Sequence, residues 1–279
     1  AQVQFGNLSG PGVWAYAELL PIPDPLHQMS PGEGHSPLLH APKLGNAMGL
    51  NNLWLKFDGL NPTGTVKDRS AVTAVAAALQ FGYDRIGVIS TGNAATSIAA
   101  YAARAGIKAF VVIPAGKVSV GKLAQAMMHG AKVIQLGGNF DDAMAIVKRI
   151  PEEAEVTLVN SVNPHRIEGQ KTAAFEIVDA LGSPPDYHFL PVGNAGNISA
   201  YWLGYNEYLE AGRSNRQPRM IGCQASGAAP FVSGNPVERP ETVATAIRIG
   251  QPQSWNLARA AQQELSLIHI SEPTRRTPS

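Results

Sequence analysis

Short apolar runs alternate with stretches of helical spacing along most of the chain from residue 86 onward. The runs are short enough to be strands, and the stretches that follow them place apolar residues three or four positions apart. This alternation is typical of an α/β fold, in which parallel sheets carry helices on both faces. The pattern predicts strands at 86–89, 110–113, 132–136, 157–159, 187–192 and 220–224, and helices at 94–105, 120–128, 141–149, 167–181 and 199–209.

The predicted strands are nearly continuous apolar runs, so we expect them to be buried on both sides. Glycines follow several of the predicted helices and mark their ends, as at Gly106, Gly130 and Gly182. Upstream, an apolar run at 53–57 precedes a loop and a helical stretch at 71–79. Open parallel sheets bind their ligands beyond the carboxyl ends of the strands. The loops that follow the strands are therefore the candidate sites.

Composition and charge narrow the class of protein. Apolar residues make up 44% of the 279 residues and charged residues 15%, which is typical of a soluble globular protein with a large interior. The 22 basic and 21 acidic side chains leave a net charge of +1, so no long-range field would attract nucleic acid or a membrane surface. We find no apolar run near the length of a membrane helix and no signal peptide at the start.

Cys223 is the only cysteine. One cysteine excludes a disulfide framework within the chain and a cysteine metal cluster, and we expect no metal site. Its predicted role is that of a small buried apolar side chain, and its isolation fits a cytoplasmic protein.

The last residues, 265–279, do not continue the pattern of the rest of the chain. They resemble the peptide obtained by translating a common sequencing-adapter read, so we exclude them from the reasoning about the fold. We therefore expect the natural protein to be longer, with further residues after Glu264 in place of this tail.

The loop at 61–70 carries Lys67 at the predicted start of a helix. Pro62 and Gly64 predict a turn, and Thr63 or Thr65 could cap the helix. The positive end of a helix dipole lowers the pKa of a nearby ammonium group, which favours a neutral and nucleophilic amine. Without further information, a solvated surface lysine is the more common interpretation.

Two further loops follow predicted strands. The loop at 90–93 contains a glycine and ends in Asn93, whose side chain both donates and accepts hydrogen bonds. The loop at 193–197 is rich in glycine and leads directly into a helix, an arrangement that exposes backbone N–H groups to a phosphate. Ordinary turns are the competing interpretation for both loops.

Together the three loops follow predicted parallel strands and offer an amine, a polar side chain and a phosphate cradle, which a phosphorylated aldehyde cofactor requires. The run Asn-Pro-Thr-Gly-Thr-Val-Lys-Asp-Arg at 61–69 and the run Ser-Thr-Gly-Asn at 90–93 resemble motifs of the tryptophan-synthase-β-like, fold type II superfamily of pyridoxal-phosphate enzymes. The run Gly-Asn-Ala-Gly-Asn at 193–197 and the run Ala-Thr-Ala-Ile-Arg-Ile-Gly at 244–250 resemble those of its threonine synthase group. The resemblance covers about 11–264.

The resemblance implies a cofactor, pyridoxal 5'-phosphate, and a role for each matching residue. Lys67 would hold the cofactor as a Schiff base and then transfer protons, and Asn93 would bind its 3-hydroxyl group. The cofactor phosphate would lie on Gly193, Asn194, Ala195, Gly196 and Asn197. Asn160, Ser161 and Arg166 would bind the phosphate of the substrate.

The implied reaction converts O-phospho-L-homoserine and water to L-threonine and phosphate. The implied fold has two α/β domains, a larger cofactor-binding domain formed by 1–67 and 153–264 and a smaller domain at 68–152. In the superfamily the C-terminal part also contacts the pyridine nitrogen, and we expect that part to be truncated here. The oligomeric state stays open, with a homodimer as one candidate.

The sequence departs from the family pattern at two places. Thr65 and Val66 stand where the family has Ser and Phe, and Ala94 stands where it has Thr. Thr65 keeps a hydroxyl group, whereas Ala94 removes one hydrogen bond to the substrate phosphate, worth roughly 1–3 kcal/mol. The sequence thus leaves two alternatives open: a related lyase that acts on another hydroxy or phosphorylated amino acid, and an inactive cofactor-binding fragment.

Overall fold

The computed structural model describes residues 10–22, 24–114, 120–137, 156–160, 163–252, 255 and 270–272. The chain divides into two compact units, Ala1–Thr172 and Ala173–Ser279. Each unit contains a parallel sheet and helices, which confirms the predicted α/β class. The discontinuous pair of domains expected from the sequence stays a prediction, as does the helix at 141–149, which lies outside the described residues.

The first unit begins with a 3-10 helix, Gly12–Leu19, whose Trp14 side chain donates a hydrogen bond to the Met29 carbonyl at 2.7 Å. A small antiparallel ribbon follows, in which Leu39 is paired with Leu55. The ribbon and its connection consist of strand β1 (Leu38–His40), helix α1 (Pro42–Ala47) and strand β2 (Trp54–Lys56).

A four-stranded parallel sheet forms the centre of the first unit. The strands of this sheet and the helices that precede and connect them are α2 (Lys67–Gln80), β3 (Arg85–Ile89), α3 (Asn93–Ala105), β4 (Lys108–Pro114), α4 (Val120–Met128), β5 (Lys132–Leu136) and β6 (Thr157–Leu158). The strands lie in the order β5-β4-β3-β6, and all the pairings are parallel. The predicted bounds of α4 and β5 are confirmed to the residue.

The core of the first unit is built mainly from small and branched side chains. Alanines on α2 and α3 bury their methyl groups against β3 and β4, which lets the two helices approach the sheet and each other closely. Gly106 ends α3 in the left-handed conformation, with a φ of 73°. Gly130 follows α4 with a φ of 80°, and Gly182 follows the helix Pro164–Leu181 with a φ of 73°. The predicted helix stops are therefore confirmed.

The second unit contains three parallel strands and the helices that connect them. Its elements are β7 (Tyr187–Pro191), α6 (Gly196–Glu210), β8 (Arg219–Ala225), α7 (Pro230–Ser233) and β9 (Ile270–Glu272), and α5 (Pro164–Leu181) begins in the first unit and ends in the second. The strand order is β7-β8-β9. Strand β9 falls within 265–279, the segment that the sequence pattern sets apart from the rest of the chain.

The apolar runs predict that every strand is buried on both sides, and this prediction is wrong for β5 and β7. Tyr187 and Phe189 on β7 are 49% and 58% exposed, and most of β5 is exposed or partly exposed. Both strands lie at an edge of their sheet, whereas β3 and β8 lie between two neighbours and are almost fully buried. Position within the sheet, which a strand's own sequence does not encode, decides the difference. Cys223 on β8 is likewise only partly buried.

No helix within the described part of the chain combines the length and the apolar character needed to cross a membrane.

Candidate active site

Lys67 is the first residue of α2, four residues earlier than the apolar spacing alone predicts. A turn leads into it: the N–H of Gly64 donates to the Asn61 carbonyl at 2.7 Å, and Gly64 has a φ of 76° that favours glycine. The Lys67 N–H donates to the Thr65 hydroxyl at 3.3 Å, and the Ser70 hydroxyl donates to the Lys67 carbonyl at 2.8 Å. Thr65, rather than Thr63, accepts from the first helical N–H group.

Burial, the largest cause, and charge repulsion by the Arg166 guanidinium lower the pKa of the Lys67 ammonium from 10.5 to about 8. The Asp58 carboxylate opposes this shift. The direction agrees with the sequence prediction, but the main cause is loss of water around the amine rather than the helix dipole. An amine with a pKa near 8 is partly neutral at physiological pH and can act as a nucleophile or a base.

Asn93 lies beside the Lys67 loop, as the first residue of α3. Its side-chain Nδ2 donates a hydrogen bond to the Thr65 hydroxyl at 3.3 Å, the same oxygen that accepts from the Lys67 N–H. The structure thus brings together two of the three predicted loops. The prediction that the first loop also follows a parallel strand is wrong. The strand before it, β2, pairs with β1 in antiparallel orientation, and it has no other partner among the described strands.

Arg166 and Asn160 lie in the same unit, and both are buried. Arg166 donates to the Val159 carbonyl at 3.3 Å and to the Ser70 hydroxyl at 3.5 Å, and its buried Nε has no hydrogen-bond partner among the described residues. Burial lowers the pKa of Arg166 to about 10, a range in which it stays charged at neutral pH. Asn160 accepts a hydrogen bond from the Ile89 N–H at 3.0 Å at the end of β3. Ser161 lies outside the described residues.

The loop at 193–197 lies in the second unit, directly after β7. Ala195 precedes α6 in the left-handed conformation, with a φ of 64°, which is uncommon for a residue other than glycine. Such a conformation before a helix turns successive backbone N–H groups to one side and forms an anion-binding concavity. The buried Oδ1 of Asn197 accepts no hydrogen bond within the part of the chain that the structure describes.

The segment at 244–250 packs against this loop. A Cβ atom on Gly193 would lie 3.1 Å from the Cα of Ile247 and 3.2 Å from the Cδ1 of Ile249. A side chain at position 193 would therefore push the two segments apart. The contact gives a structural reason for the glycine and for the position of this family-like motif.

Three hydrogen-bonded polar pairs of the first unit were not predicted from the sequence. Arg69 donates to the Asp58 carboxylate at 2.9 Å, Thr63 donates to the Asp68 carboxylate, and Tyr101 donates to Glu33 at 2.9 Å. A signal was present, because Asp68 and Arg69 stand next to Lys67 at the start of a largely apolar helix. The signal did not identify the partners, because Thr63 and Asp58 lie outside the helix and Tyr101 and Glu33 are 68 residues apart.

An α/β fold with a partly buried, pKa-shifted lysine at a helix start, an asparagine beside it and a glycine loop before a second helix defines a pyridoxal-phosphate enzyme of fold type II. The chain belongs to the pyridoxal-phosphate dependent enzyme family, whose sequence model matches residues 29–274. Within that family, curated relatives that are 49–56% identical over most of the chain are threonine synthases.

Three of these relatives come from distant organisms. The threonine synthase of Mycobacterium tuberculosis is 56% identical over 256 residues, which cover 91% of this chain and 71% of the relative. That of Synechocystis is 52% identical, covering 89% and 65%, and that of Methanocaldococcus jannaschii is 49% identical, covering 86% and 62%. The chain thus spans about two thirds of the length of the curated relatives that it matches.

Solved structures share the fold at lower sequence identity. Threonine deaminase isoform 2 from Solanum lycopersicum has a TM-score of 0.73 at 20% identity, with 97% of this chain and 75% of that chain covered. Maize serine racemase has a TM-score of 0.71 at 20% identity, with 85% and 71% covered. At this identity the likeness concerns the fold alone.

Proposed function

We propose that this chain is a threonine synthase, which converts O-phospho-L-homoserine and water to L-threonine and phosphate. The observation that carries the proposal is about 50–56% identity to threonine synthases over roughly nine tenths of the chain, a stretch that includes Lys67, Asn93, Arg166 and 193–197. A related lyase acting on another amino acid has weaker support, because the deaminase and racemase structures are only about 20% identical.

The side chains present fit pyridoxal 5'-phosphate. The Lys67 amine is partly buried and has a lowered pKa, as an amine that reacts with an aldehyde requires. Asn93, held by Thr65, would bind the 3-hydroxyl of the cofactor, and Gly193 to Asn197 would bind its phosphate. The left-handed Ala195 turns backbone N–H groups outward, where they can donate to a phosphate.

Arg166 would bind the phosphate of the substrate. Its guanidinium is buried and charged, and its Nε has no hydrogen-bond partner, so a phosphate oxygen would satisfy a donor that is otherwise left unpaired. Asn160, whose Oδ1 accepts from the Ile89 N–H, keeps the supporting role that the family resemblance implies. Ser161 keeps the role that the family resemblance implies.

The chemistry divides between the cofactor and Lys67. When bound, the cofactor supplies a conjugated ring that takes up negative charge from the substrate. The Lys67 amine takes the proton from Cα, releases it to solvent and then takes one from Cβ, while phosphate leaves from Cγ with its charge stabilised by Arg166 and gains the released proton. Lys67 then returns the Cβ proton to Cγ. Water adds its hydroxyl at Cβ, and its other proton goes to Cα, which gives threonine. A pKa near 8 suits a group that both accepts and donates protons.

The test compares Lys67→Ala with Lys43→Ala, an exposed lysine on α1. We expect the wild type and Lys43→Ala to show visible absorbance after incubation with the cofactor and to release phosphate from O-phospho-L-homoserine with equimolar L-threonine. Lys67→Ala should lose both signals. Turnover of L-threonine or O-phosphoserine without phosphohomoserine turnover would favour the related lyase, and absorbance without any turnover would favour an inactive binding protein. A cytoplasmic location and a homodimer remain predictions.

A further inference from the structure

Helix α3 carries a row of polar side chains on the face turned to α2. Asn93, Ser97 and Tyr101 are four residues apart, so they lie on one face of the helix. Asn93 donates to Thr65, the Ser97 hydroxyl lies 2.9 Å from the Thr63 hydroxyl, and Tyr101 donates to Glu33. Only Asn93 has a role in the function proposed above.

Asp68 is the centre of this set of contacts. Its carboxylate is buried and accepts the Thr63 N–H at 2.6 Å and the Thr63 hydroxyl, and it also contacts the Ser97 hydroxyl. Burial raises the pKa of Asp68, hydrogen bonds from Thr63 and Ser97 lower it, and the Asp58 carboxylate raises it. Asp68 therefore interacts with neutral donors here, whereas the neighbouring Asp58 is paired with Arg69.

These contacts close a loop around Lys67. The bond from Thr63 to Asp68 joins the two ends of the segment 63–68, in which Lys67 is the residue before Asp68. The contact of Ser97 with Thr63 ties the same segment to α3, one helical turn after Asn93. Thr65 lies between Thr63 and Asp68 in the sequence, and its hydroxyl accepts from both the Lys67 N–H and the Asn93 side chain.

We propose that Asp68 is a positioning residue for the active site: through Thr63 and Ser97 it holds Lys67 and Asn93 at a fixed separation and keeps the Lys67 amine out of water. The role in catalysis rests on the function proposed above, whereas the effect on the Lys67 amine does not. A change at Asp68 loosens the segment 63–68, admits water to Lys67 and lets Asn93 move independently of it. Glu33, a buried carboxyl group that accepts from Tyr101 on α3 and takes no part in these contacts, has no such effect.

The experiment compares Asp68→Asn with Glu33→Gln. Glu33 is a matched control, because it is also a buried carboxyl group, it accepts from Tyr101 on the same face of α3 and from Ser30, and it contacts neither Thr63 nor Thr65. The first readout uses the protein without cofactor: the rate at which an amine-specific reagent labels Lys67, followed by peptide mass spectrometry from about pH 6 to about pH 11. The second readout is the dissociation constant of the cofactor from an absorbance titration.

We expect the labelling midpoint of Lys67 to lie near pH 8 in the wild type and to rise in Asp68→Asn, because burial is the main cause of the lowered pKa. The cofactor should bind Asp68→Asn roughly tenfold more weakly, the effect of losing one charge-assisted hydrogen bond. Glu33→Gln should leave the labelling midpoint of Lys67 at the wild-type pH and the dissociation constant of the cofactor within about twofold of the wild type, although it lowers the melting temperature. An equal response of the two variants overturns the proposal.

A second pair of variants applies even where Asp68→Asn does not fold. Thr63→Ser keeps the hydroxyl group that joins Asp68 to Ser97, and Thr63→Val removes it while keeping the shape of the side chain. We expect Thr63→Val to reproduce the raised midpoint and Thr63→Ser to restore the wild-type value. Identical midpoints in the two variants contradict the proposal. A wild type that binds no cofactor contradicts the proposed function, while the labelling still tests Asp68.

Discussion

At the scale of single residues, the active site depends on two cations that share a buried region of the first unit. Lys67 and Arg166 repel each other, and burial destabilises the charged form of each side chain relative to its neutral form. Arg166 keeps its charge, because its pKa of about 10 is still well above neutral, whereas Lys67 becomes partly neutral. The lowered pKa values therefore support the proposed roles, in which the arginine keeps its charge and the lysine exchanges protons.

Arg166→Gln should raise the pKa of Lys67 above 8, because it removes a neighbouring positive charge. The pKa should stay below 10.5, since burial remains the larger cause. The measurement is the pH dependence of Lys67 labelling in the protein without cofactor. Arg104→Gln, a change in the last turn of α3, serves as the control and should leave the labelling profile of Lys67 unchanged. A fall in the Lys67 pKa in Arg166→Gln would contradict the assigned repulsion.

The same shift makes stability depend on pH. The unfolded chain holds the Lys67 proton up to about pH 10.5 and the folded protein only up to about pH 8, so between these values the unfolded state binds more protons. The contribution of Lys67 to the free energy of unfolding therefore rises with pH across this interval. Below about pH 8 the full cost of burying the charged amine is present.

At the scale of secondary structure elements, the crossing of α2 and α5 fixes the distance between Lys67 and Arg166. The Thr73 hydroxyl on α2 donates to the His165 carbonyl at 2.6 Å, and Arg69 donates to Thr172 at 3.1 Å. Gly169 lies at the closest approach, where a Cβ atom would be 1.8 Å from the Arg69 carbonyl oxygen. Two helices that each carry an active-site cation are thus held together by hydrogen bonds and a glycine contact.

Gly169→Ala should lower the free energy of unfolding by about 1–3 kcal/mol or more, because the added methyl group forces the two helix backbones apart. Gly137→Ala is the control: a Cβ atom there meets nothing within 4 Å, and the expected change is within about 0.5 kcal/mol. Urea denaturation of both variants and of the wild type provides the measurement. Equal stability of the two variants would mean that the helices do not pack as closely as described.

At the scale of the whole molecule, the charge balance predicts how a phosphorylated substrate is recognised. The 22 basic and 21 acidic side chains produce little field beyond about 10 Å at 0.1 M salt. In the proposed function, the substrate phosphate would be bound by local groups such as the buried Arg166 and not be gathered by an extended positive surface. Buried charges are screened by salt much less than exposed ones.

The KM for O-phospho-L-homoserine should therefore change less than about threefold between about 50 and 200 mM potassium chloride. A protein that binds nucleic acid through 6–10 phosphate contacts loses about 10³–10⁵ in affinity over this range. Initial rates at several salt concentrations provide the measurement. Sulfate, which resembles the substrate phosphate, should instead compete with the substrate. A KM that rises more than tenfold with chloride would indicate long-range steering.

Several features could be predicted from local sequence because their causes are local. The stops at Gly106 and Gly130 follow from the left-handed conformation that glycine readily adopts, and the strand at 132–136 follows from its own apolar side chains. The helix start at Lys67 was predicted and is confirmed, although the apolar spacing alone begins only at residue 71. The bonds of Asp68 with Thr63 and of Arg69 with Asp58 were not predicted, because side-chain periodicity does not reveal which hydrogen bonds the packed chain forms.

By itself, the sequence determined the order of strands and helices, the positions of Lys67, Asn93 and 193–197 next to helix starts, and the near-zero net charge. These depend on side-chain periodicity, glycine and composition, which act over a few residues or over the whole chain at once. The tertiary structure decided which charges are buried, that Lys67 has a lowered pKa, and that Asp68 reaches Thr63 and Ser97. Desolvation and hydrogen bonds between distant segments exist only once the chain has packed.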